Sequence, residues 1–345
     1  MMEGLGWAVN DLGNPVTMAT TFPAAPAAAG GPADKFSRRP LVAGACKAVY
    51  DAARGAAGDF VLTLGGDHSV AVGSVAASVR AHPDVVVVWV DAHADFNIEG
   101  TSEYTYLHGF PLGYVCGEYD TRDAAHPFAW LAAEDRLRPS AVRLFAVRDV
   151  DPPERATLRA LGVRTYSMMD VVRLGAGAAV EDLLASLPRG APIHLSFDID
   201  ALDPSAAPAT GTPVPGGLLL REGMYLASAL AATGRLIAAD MVEVNPRLAG
   251  DGGRDMTVYA AQWVRAGGRG GCGARAHEQR GHADYRVHAG AHPVVNRTTG
   301  DGDGARGELP FYPKDTERDT ETVLMHRVLF SSKEYHDADA VIILW

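Results

Sequence analysis

The stretch Val85–Asn97 reads VVVVWVDAHADFN, and the fold follows from it. Five valines and a tryptophan form a continuous apolar run. Such a run fits a strand buried on both faces, as in a parallel sheet covered by helices. It ends abruptly in Asp91, His93 and Asp95. If the extended backbone persists, period two puts all three side chains on one side. Three ligand-type groups at the end of a buried strand are costly unless something compensates them, and a metal ion does so well. The plainer reading is a hydrogen-bonded strand end without an ion. The rest of the chain decides between the two.

Two further apolar runs end in the same way. Asp59–Leu64 (DFVLTL) is followed by Gly65-Gly66-Asp67-His68-Ser69, and Ile193–Phe197 (IHLSF) by Asp198-Ile199-Asp200. Open parallel α/β sheets form their sites outside the carboxyl ends of the strands. One DxD pair would be weak evidence. Three strands ending in His68, Asp91/His93/Asp95 and Asp198/Asp200 make a strong constellation.

Beyond these runs, strands and helices are expected in alternation. Helices are expected over Leu41–Ala56, Val70–Ala81, Pro153–Leu161, Met169–Leu187, Arg221–Thr233 and Arg254–Val264. Strands are expected over Trp7–Asn10, Val142–Val147, Val163–Ser167 and Leu236–Val242. Phe96–Arg138 reads as mostly loop, with a short helix near Phe128–Asp135; loops this long are usually functional. Alternation of this kind means a parallel sheet covered on both faces.

The three strand ends read GGDHS, DAHAD and SFDIDALDPSAAPATGTPVPGG. They resemble the signatures of the ureohydrolase family, the arginases and agmatinases, and the arginase branch most. LHGFP (Leu107–Pro111), RDVDPPE (Arg148–Glu154) and VEVNP (Val242–Pro246) resemble its further motifs. The resemblance implies a three-layer αβα arginase-like fold with a mostly parallel central sheet. It implies two Mn²⁺ ions: His68 and Asp95 on one, His93 and Asp200 on the other, and Asp91 and Asp198 bridging. Four carboxylates then balance two divalent cations, and oxygen-rich ligation with some imidazole suits Mn²⁺. Such a pair lowers the pKa of bound water from 15.7 toward about 7, so a bridging hydroxide is the expected nucleophile.

The implied activity is hydrolysis of L-arginine to L-ornithine and urea, with agmatine or another guanidino compound as the alternative substrate. A catalytically weak relative is a third reading, because both chain ends depart from the family pattern. Asp95, His108 and Glu243 are the catalytic candidates. His108 matches the family's proton-shuttling histidine and Glu243 its anionic clamp for the guanidinium. Asn97, Tyr104, Asp151, Glu154 and Thr212 match the substrate-binding positions. Tyr104 stands where arginases carry a serine, and Tyr106 replaces an asparagine nearby. Arg221 and Glu222 match a charged pair between subunits, so a homo-oligomer, trimer or hexamer, is expected.

Composition bounds the remainder. With 345 residues and 47% hydrophobic content the chain can bury a large core, and a net charge of −11 argues against nucleic acid or an anionic membrane as partner. Three scattered cysteines give no disulfide framework or zinc spacing, which points to a reducing compartment, the cytoplasm. There is no apolar run long enough to span a membrane. The expected division is a ureohydrolase domain over residues 1–264, without the family's amino-terminal strand-helix unit, and an atypical tail over 265–345. The stretch 265–307 is rich in Gly, Arg and His without an apolar period, and disorder is expected there. Thr322–Phe330 and Ala340–Trp345 are apolar enough to dock.

Overall fold

The computed structural model describes residues 9–11, 39–56, 58–98, 106–119, 126–267 and 340–344. The central strand β3 (Val86–Val90) is wholly buried, as its sequence requires. Its side chains alternate between two cores. Val86, Val88 and Val90 enter one apolar cluster; Val85, Val87 and Trp89 enter the other. Both faces of the sheet are therefore covered, and the molecule has three layers.

The strands β1 (Val9–Asp11), β2 (Phe60–Leu64), β3, β4 (Val142–Val147), β5 (Arg164–Ser167), β6 (Ile193–Asp198), β7 (Leu236–Val242) and β8 (Ala340–Leu344) form one sheet. Its order is β1-β8-β2-β7-β6-β3-β4-β5. Every pair is parallel. One face carries α1 (Arg39–Gly55), α2 (Ala71–Ala81), the short α3 (Pro111–Val115) and α4 (Pro152–Ala160). The other carries α5 (Met168–Leu174), α6 (Ala176–Ser186), α7 (Leu220–Ala232) and α8 (Asp251–Gly267). The carboxyl ends of β2, β3, β6 and β7 thus lie side by side, which brings their terminal residues together.

The small-residue helix α2 is buried from Ala71 to Val79. Gly73 explains how it lies so close to α1. A Cβ there would stand 2.1 Å from the Cys46 carbonyl oxygen, a contact no side chain tolerates.

Several expectations need correction. The single helix expected over Met169–Leu187 is two, α5 and α6, broken at Gly175 with φ 81°. The apolar period runs across the break, so only the backbone reveals it. Ser167 starts α5 with a capping box, in which its hydroxyl meets the Asp170 amide while Asp170 accepts from the Ser167 amide. The helix expected near Phe128–Asp135 is reduced to one turn of 3₁₀ helix at Ala133–Asp135, while α3 forms at Pro111–Val115 instead. Within the tail, Ala340–Leu344 pairs between β1 and β2. The readings of 268–339, the 322–330 segment included, and of Tyr104 lie outside the described residues.

Candidate metal and catalytic site

One local device recurs at three strand ends. Asp67, Asp91 and Asp198 each turn a carboxylate oxygen back onto the amide two residues ahead. Asp67 accepts from Ser69 at 2.9 Å, Asp91 from His93 at 2.7 Å and Asp198 from Asp200 at 2.8 Å. Aspartate favours such turns because its short side chain reaches its own backbone. Each turn stops the strand and aims the residues that follow at a common centre. The extended backbone therefore does not persist past Val90, contrary to the period-two expectation. Asp95 itself adopts φ 51°, in the left-handed region. Asp91, His93 and Asp95 meet through turns, not through strand alternation. Glu243, at the end of β7, also sits at φ 59°. Non-glycine residues are uncommon there, and such strain clusters at functional sites.

All six expected metal ligands converge in two overlapping groups. Nδ1 of His68 lies 3.1 Å from a carboxylate oxygen of each of Asp91, Asp95 and Asp198. Nδ1 of His93 lies 3.3 Å from Asp91 and 3.2 Å from Asp200. Asp91 serves both groups, one oxygen toward each histidine. Nδ1 of His68 is buried and has no hydrogen-bond partner, although three oxygens surround it at one distance. That is the arrangement of donors around a cation. The residues fit a pair of divalent ions.

The electrostatics agree. Burial pushes Asp95 up to about 6, with the Asp91 charge adding to it. Burial, then the Asp200 and Asp91 charges, hold Asp198 well above the ordinary carboxylate range. For His93, burial opposes protonation, but the carboxylates of Asp200 and Asp91 outweigh it and push the imidazole up to about 12. Without cations, protons are the positive charge left to balance this cluster.

Supporting contacts fix the donors. The Trp89 indole stacks on the His68 ring at 4.0 Å and donates Nε1–H to Asp91 at 3.1 Å. The Ala92 amide donates to Asp200 at 3.1 Å, joining the ends of β3 and β6. Thr212 donates to the other Asp200 oxygen at 3.2 Å, which places the TGTP loop against the centre. Arg148 binds that loop and β6 together through the carbonyls of Asp200 and Val214, each at 2.7 Å.

Glu243 and His108 stand beside the centre with Asp67. The Glu243 carboxylate accepts from the His68 amide at 2.8 Å, and burial followed by the Asp67 charge pushes it up to about 7. Nδ1 of His108 lies 3.5 Å from Asp67. Burial opposes its charge, yet Asp67 raises it above the usual imidazole value. The exposed Tyr106 ring stacks on His108 at 5.8 Å.

The expected substrate residues divide. Asn97 is buried, with one amide hydrogen given to the Gly109 carbonyl at 2.9 Å. Asp151 is exposed at the amino end of α4. Glu154 is buried and accepts from the Phe96 amide at 2.7 Å, which ties α4 to the loop after Asp95. Sequence reasoning missed Asp67, Trp89, Ser196, His194 and Asp240. A signal existed for two of them: His194, Ser196 and Asp198 recur with period two in a strand otherwise apolar. Asp240 stands opposite Ser196 only through the pairing of β6 with β7.

The sequence pattern of the Arginase family matches residues 5–266. The hepatic arginase of Aquarana catesbeiana is 50% identical over 192 residues, 55% of this chain and 59% of the frog protein. An arginase of Coccidioides posadasii is 43% identical over 226 residues, 64% of this chain and 66% of the fungal one. The chain thus spans about three fifths to two thirds of the length of these relatives. Among solved structures, the arginase of Bacillus cereus is similar with a TM-score of 0.61 and 32% identity, over 68% of this chain and 79% of that one. Fold, motifs and site agree: the chain belongs to the Arginase family.

Proposed function

We propose that the protein hydrolyses L-arginine to L-ornithine and urea at a pair of Mn²⁺ ions. The observation that carries this reading is the doubled donor group sharing Asp91, with an orphaned His68 Nδ1 facing three carboxylates. Relatives named arginases support the substrate. The mixture of carboxylates and imidazoles suits Mn²⁺. When bound, the cations supply a water acidic enough to act as nucleophile near neutral pH.

The chain's own groups do the rest. A guanidinium stays protonated at any workable pH, so it must be held by its cationic nitrogens. Glu243, half-buried just after β7 and held by the His68 amide, is the carboxylate placed to hold them. The departing amine needs a proton, and His108, held by Asp67, is placed to give it. Asn97 and Asp151 would meet the α-carboxylate and α-amine. The protein forms homo-oligomers in this reading, and Arg221 and Glu222 lie between subunits.

The test compares urea release from L-arginine and from agmatine by the manganese-loaded protein. Faster turnover of arginine supports the reading. A preference for agmatine moves the assignment to another guanidino substrate, and no urea from either overturns hydrolysis.

A further inference from the structure

A buried polar chain leads away from the His68 group and into the sheet. Nε2 of His68 lies 3.0 Å from Ser196 Oγ, and Ser196 Oγ donates to Asp240 Oδ2 at 3.1 Å. The same Asp240 oxygen accepts from Ser74 at 2.9 Å and meets Nε2 of His194 at 2.9 Å. Nδ1 of His194 lies 2.8 Å from Ser78 on α2. His194, Ser196 and Asp240 are at most 1% exposed. The expected ligand set includes none of these groups.

Proton counting gives the chain a direction. Ser196 has one hydroxyl hydrogen, and Asp240 takes it. The Ser196 oxygen must then accept from His68, so Nε2 of that ring carries the proton. An imidazole protonated on Nε2 has a bare lone pair on Nδ1. Nδ1 is the atom facing Asp91, Asp95 and Asp198 at 3.1 Å. The partner on the second nitrogen of a ligating histidine sets its tautomer and its orientation.

We propose that Asp240 is a positioning residue for the metal centre, acting through Ser196 to hold His68 with Nδ1 bare toward the cation. It touches neither metal nor substrate. His194 and Ser74 hold Asp240 in turn, so a helix on one face of the sheet is joined to a ligand at its carboxyl edge. This inference rests on the two-metal reading above.

The test titrates Mn²⁺ into the metal-stripped full chain and follows binding by calorimetry. The proteins are wild type, Ser196→Ala, Asp240→Asn and the double variant, and urea unfolding of each metal-free form is the structural control. The expected result is a loss of about 10- to 100-fold in affinity for one of two ions in each single variant. The double variant should lose no more than Ser196→Ala, because the two residues act in series. Unchanged affinity in either single variant overturns the proposal. So does a loss confined to the unfolding midpoint, or losses that multiply in the double variant. If Asp240→Asn does not fold, Ser196→Ala decides alone by the same readouts. Wild type that binds fewer than two ions overturns the two-metal reading itself, which is a distinguishable result.

Discussion

Asp198→Asn should make the metal-free protein more stable and the manganese-loaded protein less stable than wild type. Asp198 is buried, with an oxygen 3.1 Å from His68 Nδ1, and it shares its cavity with Asp91 and Asp200. Burial and those charges raise its folded pKa well above the unfolded value. A carboxyl raised in this way destabilises the folded state at every pH above its unfolded pKa. Asparagine copies the neutral form and removes the penalty. Two like charges about 4 Å apart repel by about 4 kcal/mol at an effective dielectric of 20. Nearby imidazolium offsets much of that, leaving an expected gain of roughly 1–3 kcal/mol at neutral pH. With manganese the order inverts. A ligand at one hundred times its Kd stabilises by about 2.7 kcal/mol, and the variant forfeits most of this for at least one ion. Asp198→Ala should be worse again, because the Asp200 amide loses its acceptor at 2.8 Å, worth about 0.5–1.5 kcal/mol. It should hold less than one tight Mn²⁺ per chain and release no urea above background. The assay is urea unfolding in chelator and in excess Mn²⁺, beside urea release from L-arginine. An Asp198→Asn protein less stable than wild type in chelator would refute the reasoning.

Three further outcomes follow from other parts of the molecule. Gly73→Ala should cost about 1–3 kcal/mol in urea unfolding, since its methyl would lie 2.1 Å from the Cys46 carbonyl oxygen; a neutral result would mean that α1 and α2 pack further apart. Burial pushes Glu154 up from 4.5 to about 8, so the folded state holds a proton the unfolded chain releases across that window. Stability of the metal-free protein should fall as pH rises through it, by up to about 1.4 kcal/mol per pH unit, and Glu154→Gln should lack that slope; identical slopes would contradict the assignment. Tyr104→Ser should lower KM for L-arginine by about 10- to 150-fold, the worth of one charge-assisted hydrogen bond, and leave agmatine nearly unchanged; equal effects on both substrates would mean that Tyr104 acts by volume alone.

The sheet was legible because β3 is an unbroken apolar run and β2 and β6 end in the same kinds of residue. The donor set was legible because aspartate and histidine directly after buried strands have few other uses. What stayed hidden depended on backbone angles or on distant pairing. The left-handed turn at Asp95 leaves no trace in apolar periodicity, so residues that do meet were grouped by the wrong geometry. The break at Gly175 interrupts a helix whose apolar pattern continues beyond it. α3 has five residues, too few for a period to show. Asp240 and Ser196 are 44 residues apart in sequence and meet only through strand register. Glu154 was read from its motif alone; that its carboxylate also accepts from the Phe96 amide, 58 residues away in sequence, shows only in the fold.

Anomalous diffraction at the manganese absorption edge, from crystals grown with Mn²⁺, tests the central claim most directly. Two peaks are predicted in each chain, with Asp91 and Asp198 shared between them. One should be bounded by His68 and Asp95, the other by His93 and Asp200. A single peak, or a pair lying away from Asp91, would contradict the two-metal account.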